Sequence, residues 1–401
     1  MQAAVAYGFG GNAGIGSVQA GFDIAEWKCG PEGFGRWAVE RNRDLLLGDW
    51  EAQSSDPSEW TPAERVGLLI GTPPCAAFSS MNFGRRTSTR GIDSPWNDCM
   101  SAFVEYAARS TGEDGEQGPE VIAFESVPAA FTTGMDLMRR LHDRIRRVGE
   151  YELTHLRITN AAIGSAQLRK RYWWVASRIG TPTFAEPTGQ VVTAHQRIGD
   201  IENLTADVTD HESIRKTCKA PVCGCPSYMW PFTREGEVTK MALLRYADEH
   251  GGPPPGDSWA RVYDRATGVR GTWIGWPKRL RKHTPAFTLT GYCITETLHY
   301  SRRRHITARE GLRLMGMPDE WSLEPASYNQ AQAVIGKAAP VESCKYVADA
   351  AAALLTGRRT VGLQGEEARP AERVLRVDLP EEVRRAIRFN DGSGLRALNS
   401  R

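Results

Sequence analysis

The chain has 401 residues, 41% apolar and 24% charged, with a formal net charge of +2. That length gives room for two domains, the composition is that of a soluble globular protein, and the small net charge does not by itself announce a nucleic-acid binder. With no run of 18 apolar residues, no basic-then-apolar start and eight irregularly spaced cysteines, the expectation is a cytoplasmic protein with free thiols, without a membrane span or secretory signal.

In chain order, Ala3 to Tyr7 is a short apolar run ending in glycines, followed by a helical stretch through Gln19. Leu45 to Leu47, Val66 to Ile70, Glu120 to Phe124 and Arg171 to Ala176 are strand candidates, with helical patterns around Ala102 to Ala108 and Met135 to Val148. Strands alternating with helices predict an α/β fold, a doubly wound and mostly parallel Rossmann-like sheet. From about residue 180 to 300 proline, glycine, threonine and tryptophan increase and periodicity fades, as in Pro253-Pro254-Pro255, which predicts a smaller, loop-rich domain. Thr307-Ala308-Arg309-Glu310 is a capping box opening a helix that Gly316 and Pro318 end, and Pro340 to Leu355 is a last helix. The tail from Gly357 is read as a charged appendage. The expected division is 1–180, completed by 330–356, then 181–329, then 357–401.

Chemistry-bearing residues follow the strand candidates. Gly8-Phe9-Gly10-Gly11 lets backbone approach a ligand closely, although ordinary tight turns show as much. Asp49 can accept from an adenine amino group or simply close a turn. Cys75 follows two prolines, whose fixed φ angles aim its thiol. Glu125 closes a neighbouring strand, and Gln167-Leu168-Arg169-Lys170-Arg171 precedes another. Strand ends in such sheets share one crevice, so nucleophile, acid and cations are expected to meet there. Cations also bunch at Arg85, Arg86 and Arg90, at Lys278 to Lys282 and at Arg302 to Arg304, suited to phosphates or to a solvated surface.

These motifs, in this order, resemble the cytosine-C5 DNA methyltransferase family of bacterial and phage type over roughly residues 3 to 355. Gly8-Phe9-Gly10-Gly11 with Ala20-Gly21-Phe22 resembles its cofactor loop, Pro73-Pro74-Cys75 its catalytic loop and Glu125-Ser126-Val127 its Glu-Asn-Val motif. Gln167-x-Arg169-x-Arg171, Arg304 to Glu310 and Gly336 to Pro340 resemble three later motifs. The resemblance implies a base-flipping enzyme with Cys75, Glu125, Arg169 and Arg171 as catalytic residues. It implies S-adenosylmethionine held by Tyr7, Gly8, Phe9, Gly10, Gly11, Glu32, Asp49, Pro74 and Lys337, and no catalytic metal. It also implies double-stranded DNA held by Arg85, Arg86, Arg90 and Arg304, a target-recognition domain at 181–329, and a monomer.

The chain departs from the pattern in places. Ser126 replaces asparagine, Ala76 glutamine, and Ala6 an adenine-stacking aromatic; Gly30 stands where an acid grips the ribose, with Glu32 two residues on. Gly336-Lys337 replaces Gly-Asn, and an ammonium there repels a sulfonium. One alternative is therefore carboxymethyl transfer from carboxy-S-adenosylmethionine, with Lys337 pairing the carboxylate. Others are an inactive DNA-binding relative, a nicotinamide-dependent dehydrogenase suggested only by the glycine loop, and an RNA substrate. His211, Cys218, Cys223 and Cys225 match no common zinc spacing and are read as ordinary loop residues.

Overall fold

The computed structural model describes residues 66–79, 91–111, 117–202, 278–301, 306–323, 331–358 and 361–388, apart from a few positions inside these stretches, Pro74 and Lys337 among them. The main elements are β1 (Val66–Gly71), α1 (Asp98–Thr111), β2 (Pro119–Ser126), α2 (Pro128–Thr132), α3 (Met135–Arg146), β3 (Glu152–Thr159), a 3-10 turn (Asn160–Ile163) and β4 (Lys170–Ser177). They continue with α4 (Ala194–Ile198), β5 (Lys278–Arg279), α5 (Cys293–Glu296), β6 (Thr297–Leu298), α6 (Ala308–Leu314) and α7 (Val341–Leu355). The chain then forms β7 (Glu366–Arg369), β8 (Glu372–Val377) and α8 (Glu381–Arg388).

Six strands form one sheet in the order β1-β2-β4-β3-β8-β7. β1 pairs parallel with β2 and β3 with β8, while β4 runs antiparallel to β2 and β3, and β7 to β8. Four of the six strands therefore share a direction, and the mixed α/β fold with a mostly parallel sheet is as expected. The carboxyl ends of β1, β2, β3 and β8 and the start of β4 lie at one end of the sheet.

Strand β2 explains the layering. All eight of its residues are buried, which requires cover on both faces. On one face Val121, Ala123, Trp173 and Val175 pack with Val347 and Ala351 of α7. On the other, Ile122, Phe124 and Trp174 pack with Met100 and Val104 of α1 and Met138 and Leu141 of α3. Arg144 donates to both carboxylate oxygens of Glu105 at 2.7 Å, tying α3 to α1. The capping box of α6 is formed, with Glu310 N donating to Thr307 Oγ1 at 3.1 Å and Thr307 N to Glu310 Oε2 at 2.8 Å.

Part of the charged tail from Gly357 packs with the sheet. β8 continues the sheet beyond β3, and Leu375, Val377, Leu379, Val383 and Ile387 join the same apolar cluster as Val121 and Trp173. Its arginines and glutamates alternate with these apolar residues, so mean composition hides a half-buried strand.

Strand β3 also escaped sequence reading, because Thr154, His155 and Arg157 interrupt it with polar groups. Neighbours satisfy His155, which is fully buried: Nε2 lies 2.8 Å from Glu372 Oε1 and Nδ1 2.6 Å from Tyr172 Oη. Burial holds the Tyr172 hydroxyl protonated, so it donates to Nδ1 while Nε2–H donates to Glu372, a neutral imidazole with both nitrogens used. Burial lowers the pKa of His155 against the opposing pull of Glu372, and likewise that of His142, whose Nε2 lies 2.9 Å from the Tyr151 carbonyl.

Both histidines start from an ordinary value of 6.5 and are depressed on folding, so below about pH 6.5 the unfolded chain binds more protons. Their contribution is complete above pH 6.5 and lost as pH falls toward the folded values. Stability is expected to drop by up to about 1.4 kcal/mol per pH unit for each histidine. Urea midpoints from pH 7 to 5 test this, and a flat profile would contradict it.

Among the described residues no helix is long and apolar enough to cross a membrane.

Candidate active site

The site is built from the strand ends upward. β1 stops at Gly71, where a Cβ would stand 2.6 Å from the Phe103 ring; only glycine lets α1 close against the strand end. Four residues on, Cys75 opens a tight turn in which Phe78 N donates to the Cys75 carbonyl at 3.1 Å. Gly91 N donates to the Ala77 carbonyl at 3.0 Å, pinning together the two ends of the segment between them. Asn97 Nδ2 fastens the far end, donating to the carbonyls of Gly91 at 2.9 Å and Ile92 at 2.8 Å. Cys75 is half-buried and packs against the cluster containing Phe78, Phe103 and Phe124.

β2 delivers Glu125, buried at its carboxyl end and opposite Trp173 of β4. Its carboxylate is ion-paired with Arg171 Nε. Ser126, fully buried, has a hydroxyl with no hydrogen-bond partner among the described residues.

The run Gln167-x-Arg169-x-Arg171 places three side chains on one face, because alternate residues of an extended chain point the same way. Each does something different. Gln167 donates to the Leu314 carbonyl at 2.8 Å and accepts from Leu289 N at 3.2 Å, clamping two distant segments. Arg169 Nη1 donates to the carbonyls of Leu289 and Gly336, both at 2.9 Å, while its buried Nε has no hydrogen-bond partner among the described residues. Arg171 reaches Glu125. A Cβ on Gly336 would fall 1.6 Å from the Thr290 carbonyl oxygen, so this segment approaches backbone to backbone.

The electrostatics tie Cys75 to all three charged groups. Burial pushes its thiol above the ordinary value and the Glu125 charge pushes it further, while Arg171 and Arg169 pull it back. Burial, then Arg171, presses the Arg169 guanidinium down, opposed by Glu125, Cys75 and Cys293. The thiol is therefore protonated at neutral pH. Because Glu125 raises it, Glu125→Gln is expected to increase the thiolate fraction and speed alkylation of Cys75 by iodoacetamide at pH 8. The same variant should lose about 10²–10⁴-fold in group transfer if the carboxyl acts on the base. Slower alkylation, measured by peptide mass, would contradict this account of the thiol.

Four of the expected site residues, Cys75, Glu125, Arg169 and Arg171, thus come together. Tyr7, Gly8, Phe9, Gly10, Gly11, Glu32, Asp49, Pro74 and Lys337, expected at the cofactor, lie outside the described residues. So do Arg85, Arg86, Arg90 and Arg304, expected at DNA, and His211, Cys218, Cys223 and Cys225. Sequence reasoning missed the clamp role of Gln167 and the buried Cys293, which bears on the Arg169 guanidinium. The alternation of Gln167 with the two arginines was the available signal for the first.

A comparison with curated proteins finds no match. Among solved structures, the chain is similar to a protein described as a DNA modification methyltransferase encoded within an E. coli prophage, with 15% identity and TM-score 0.45 over 75% of this chain and 81% of that one. It is similar to the Entamoeba histolytica methyltransferase EhMeth, with 11% identity and TM-score 0.47 over 81% of this chain and 88% of that one. It is also similar to the S. pombe Dnmt2 methyltransferase, with 13% identity and TM-score 0.40 over 73% and 77%. The profile of the C-5 cytosine-specific DNA methylase family matches residues 40–352, most of the chain and all four residues gathered around Cys75. The chain belongs to the C-5 cytosine-specific DNA methylase family.

Proposed function

We propose that this protein modifies C5 of a cytosine flipped out of double-stranded DNA, through a covalent bond between Cys75 and C6. The observation that supports this reading is the mutual electrostatic influence of Cys75, Glu125, Arg169 and Arg171 at one sheet end. Cytosine C5 is a weak nucleophile inside the stack, so the base is extruded at a cost of about a few kcal/mol. Adding the Cys75 thiolate to C6 drives the C5–C6 π electrons toward C5 and the ring. Glu125 holds the N3 and N4 edge, and the proton that the Cys75 thiol gives up passes by way of Glu125 to N3, where it neutralises the charge that develops. Arg169, fixed through Nη1, keeps Nε for the cytosine O2, an electrostatic role of the oxyanion-hole kind. Arg171 holds Glu125 in place. After transfer, loss of the C5 proton expels the thiolate and restores the ring.

S-adenosylmethionine, when bound, supplies the electrophilic carbon. Thr72 and Pro73 are half-exposed at the carboxyl end of β1, the kind of strand end at which nucleoside-type donors bind in such sheets. Tyr7 to Gly11, Glu32, Asp49 and Pro74 are the proposed holders. Residues 181–329 are proposed to read the DNA sequence, with Arg85, Arg86, Arg90 and Arg304 on its backbone and the protein acting as a monomer. The test is duplex DNA carrying 5-fluorocytosine, from which the C5 fluorine cannot leave as a proton does. A denaturant-resistant protein–DNA complex is expected with S-adenosylmethionine, and its absence would refute the covalent route.

A second reading concerns what C5 receives. The Gly336 carbonyl accepts from Arg169, so Lys337 directly follows a backbone group bonded to the site. An ammonium there favours an anionic donor, carboxy-S-adenosylmethionine, and carboxymethyl transfer. Nucleoside mass spectrometry after reaction with each donor separates the two; 5-methylcytosine alone would eliminate the carboxymethyl reading.

A further inference from the structure

We propose that strand β8, outside the segment that the family profile matches, carries a contact to the DNA backbone: Arg376, together with Arg157 beside it on β3, binds a phosphate flanking the flipped nucleotide. This rests on the DNA reading above.

The placement follows from strand register. Ser126 pairs with Tyr172, Tyr172 with Arg157, and Arg157 with Arg376, so these four residues form one row across β2, β4, β3 and β8. Residues paired this way share a face, and strands are spaced about 4.8 Å apart, which puts Arg376 roughly 14 Å from Ser126 along the row. Glu125 is the neighbour of Ser126 along β2, with its side chain on the opposite face of the same sheet end. The row lies at the end of the sheet where Cys75, Glu125 and Arg171 meet, so a duplex that delivers a base to Glu125 runs its backbone within reach of Arg376.

The charges at this edge need an anion. Like charges directly opposite one another on paired strands are destabilising. Arg157 cannot swing freely, because its guanidinium sits 4.8 Å from the centroid of the Phe131 ring. Arg157 is half-buried and Arg376 is exposed; burial first, and then Arg376, disfavours the charge on Arg157. Lys170, exposed at the start of β4, adds a third cation two residues along. The carboxylate that acts on Arg157 is Asp378, which Arg384 also engages at 3.3 Å. Three cations and one shared acid leave the edge positive at the place where a phosphate of the substrate passes.

The matched family segment ends at residue 352, and β8 begins at Glu372. Arg376 is therefore a contribution of the tail.

The experiment is the salt dependence of duplex binding by the full chain, because each phosphate contact contributes about 0.9 to the slope of log Kobs against log salt. Arg376→Gln is expected to lower the slope by about 0.9 and Arg376→Lys to keep it. Arg369→Gln removes the same charge at the opposite end of the sheet, where Arg369 pairs with Glu372, and should leave the slope at the wild-type value. The inference is overturned if Arg376→Gln keeps the full slope, or if Arg369→Gln lowers it equally. Wild-type protein that fails to bind duplex DNA at all would refute the DNA reading itself, and this inference with it. Since Arg376 is exposed, its variants should melt with the wild type, so a changed slope reports the contact.

Discussion

Cys75→Ala is expected to abolish group transfer, by roughly 10⁴-fold or more, while duplex binding survives. A residue that forms the covalent bond acts as a unit with its partners, and removing such a nucleophile costs about as much as removing the whole constellation. Among the described residues nothing nearby can replace it. Cys293 is buried with its thiol 3.4 Å from the Gln332 carbonyl, and Glu125 and Arg171 are engaged with each other. The site is also built so that the small residue fits: Cys75 packs with Phe78 and Phe103, and alanine loses one sulfur from that cluster. The variant should therefore fold, and the 5-fluorocytosine adduct should vanish with the activity. An adduct that persists in Cys75→Ala would reassign the nucleophile.

The largest effect on stability is expected from ending the chain after Leu363, which removes β7, β8 and α8. The outer edge of β3 would then lose its parallel partner along six residues, from Leu153 to Ile158. His155 would lose Glu372, and five side chains would leave the cluster that supports Trp173 and Val175: Leu375, Val377, Leu379, Val383 and Ile387. Each buried aliphatic side chain of this size contributes about 1.5–3 kcal/mol, against a net stability of only about 5–15 kcal/mol for a domain. The truncated chain should show no cooperative thermal transition by circular dichroism. Glu372→Ala isolates one part of this effect. A buried imidazole left without its acceptor costs about 1–3 kcal/mol, which should appear as a lower urea midpoint with an unchanged slope. A truncated chain that melts as the full one does would show that β8 merely rests on the sheet.

Much of this architecture was legible in the sequence where information is local. β1, β2, β4, α1 and α3 announce themselves through apolar periodicity within a dozen residues. The capping box of α6 is a four-residue signal, and the structure forms it. Cys75 and Glu125 follow short apolar runs, and both lie at strand ends. What stayed hidden depends on distant partners. β3 looks too polar until Glu372 and Tyr172 are brought to His155, and β8 reads as charged tail until β3 is beside it. Arg169 stood out as a cation in a basic run, yet nothing local says that the carbonyls of Leu289 and Gly336 hold it.

The pairing of β3 with β8 also sets a timetable during synthesis. His155 and Glu372 are 217 residues apart. At about 5–20 residues per second, a ribosome needs roughly 10–40 s to make the chain between them. Through that interval the outer edge of β3 is a strand without its final neighbour, and such edges recruit other chains. Nascent protein should thus rely on chaperone cover until β8 emerges, and slow translation between β3 and β8 would prolong that exposure.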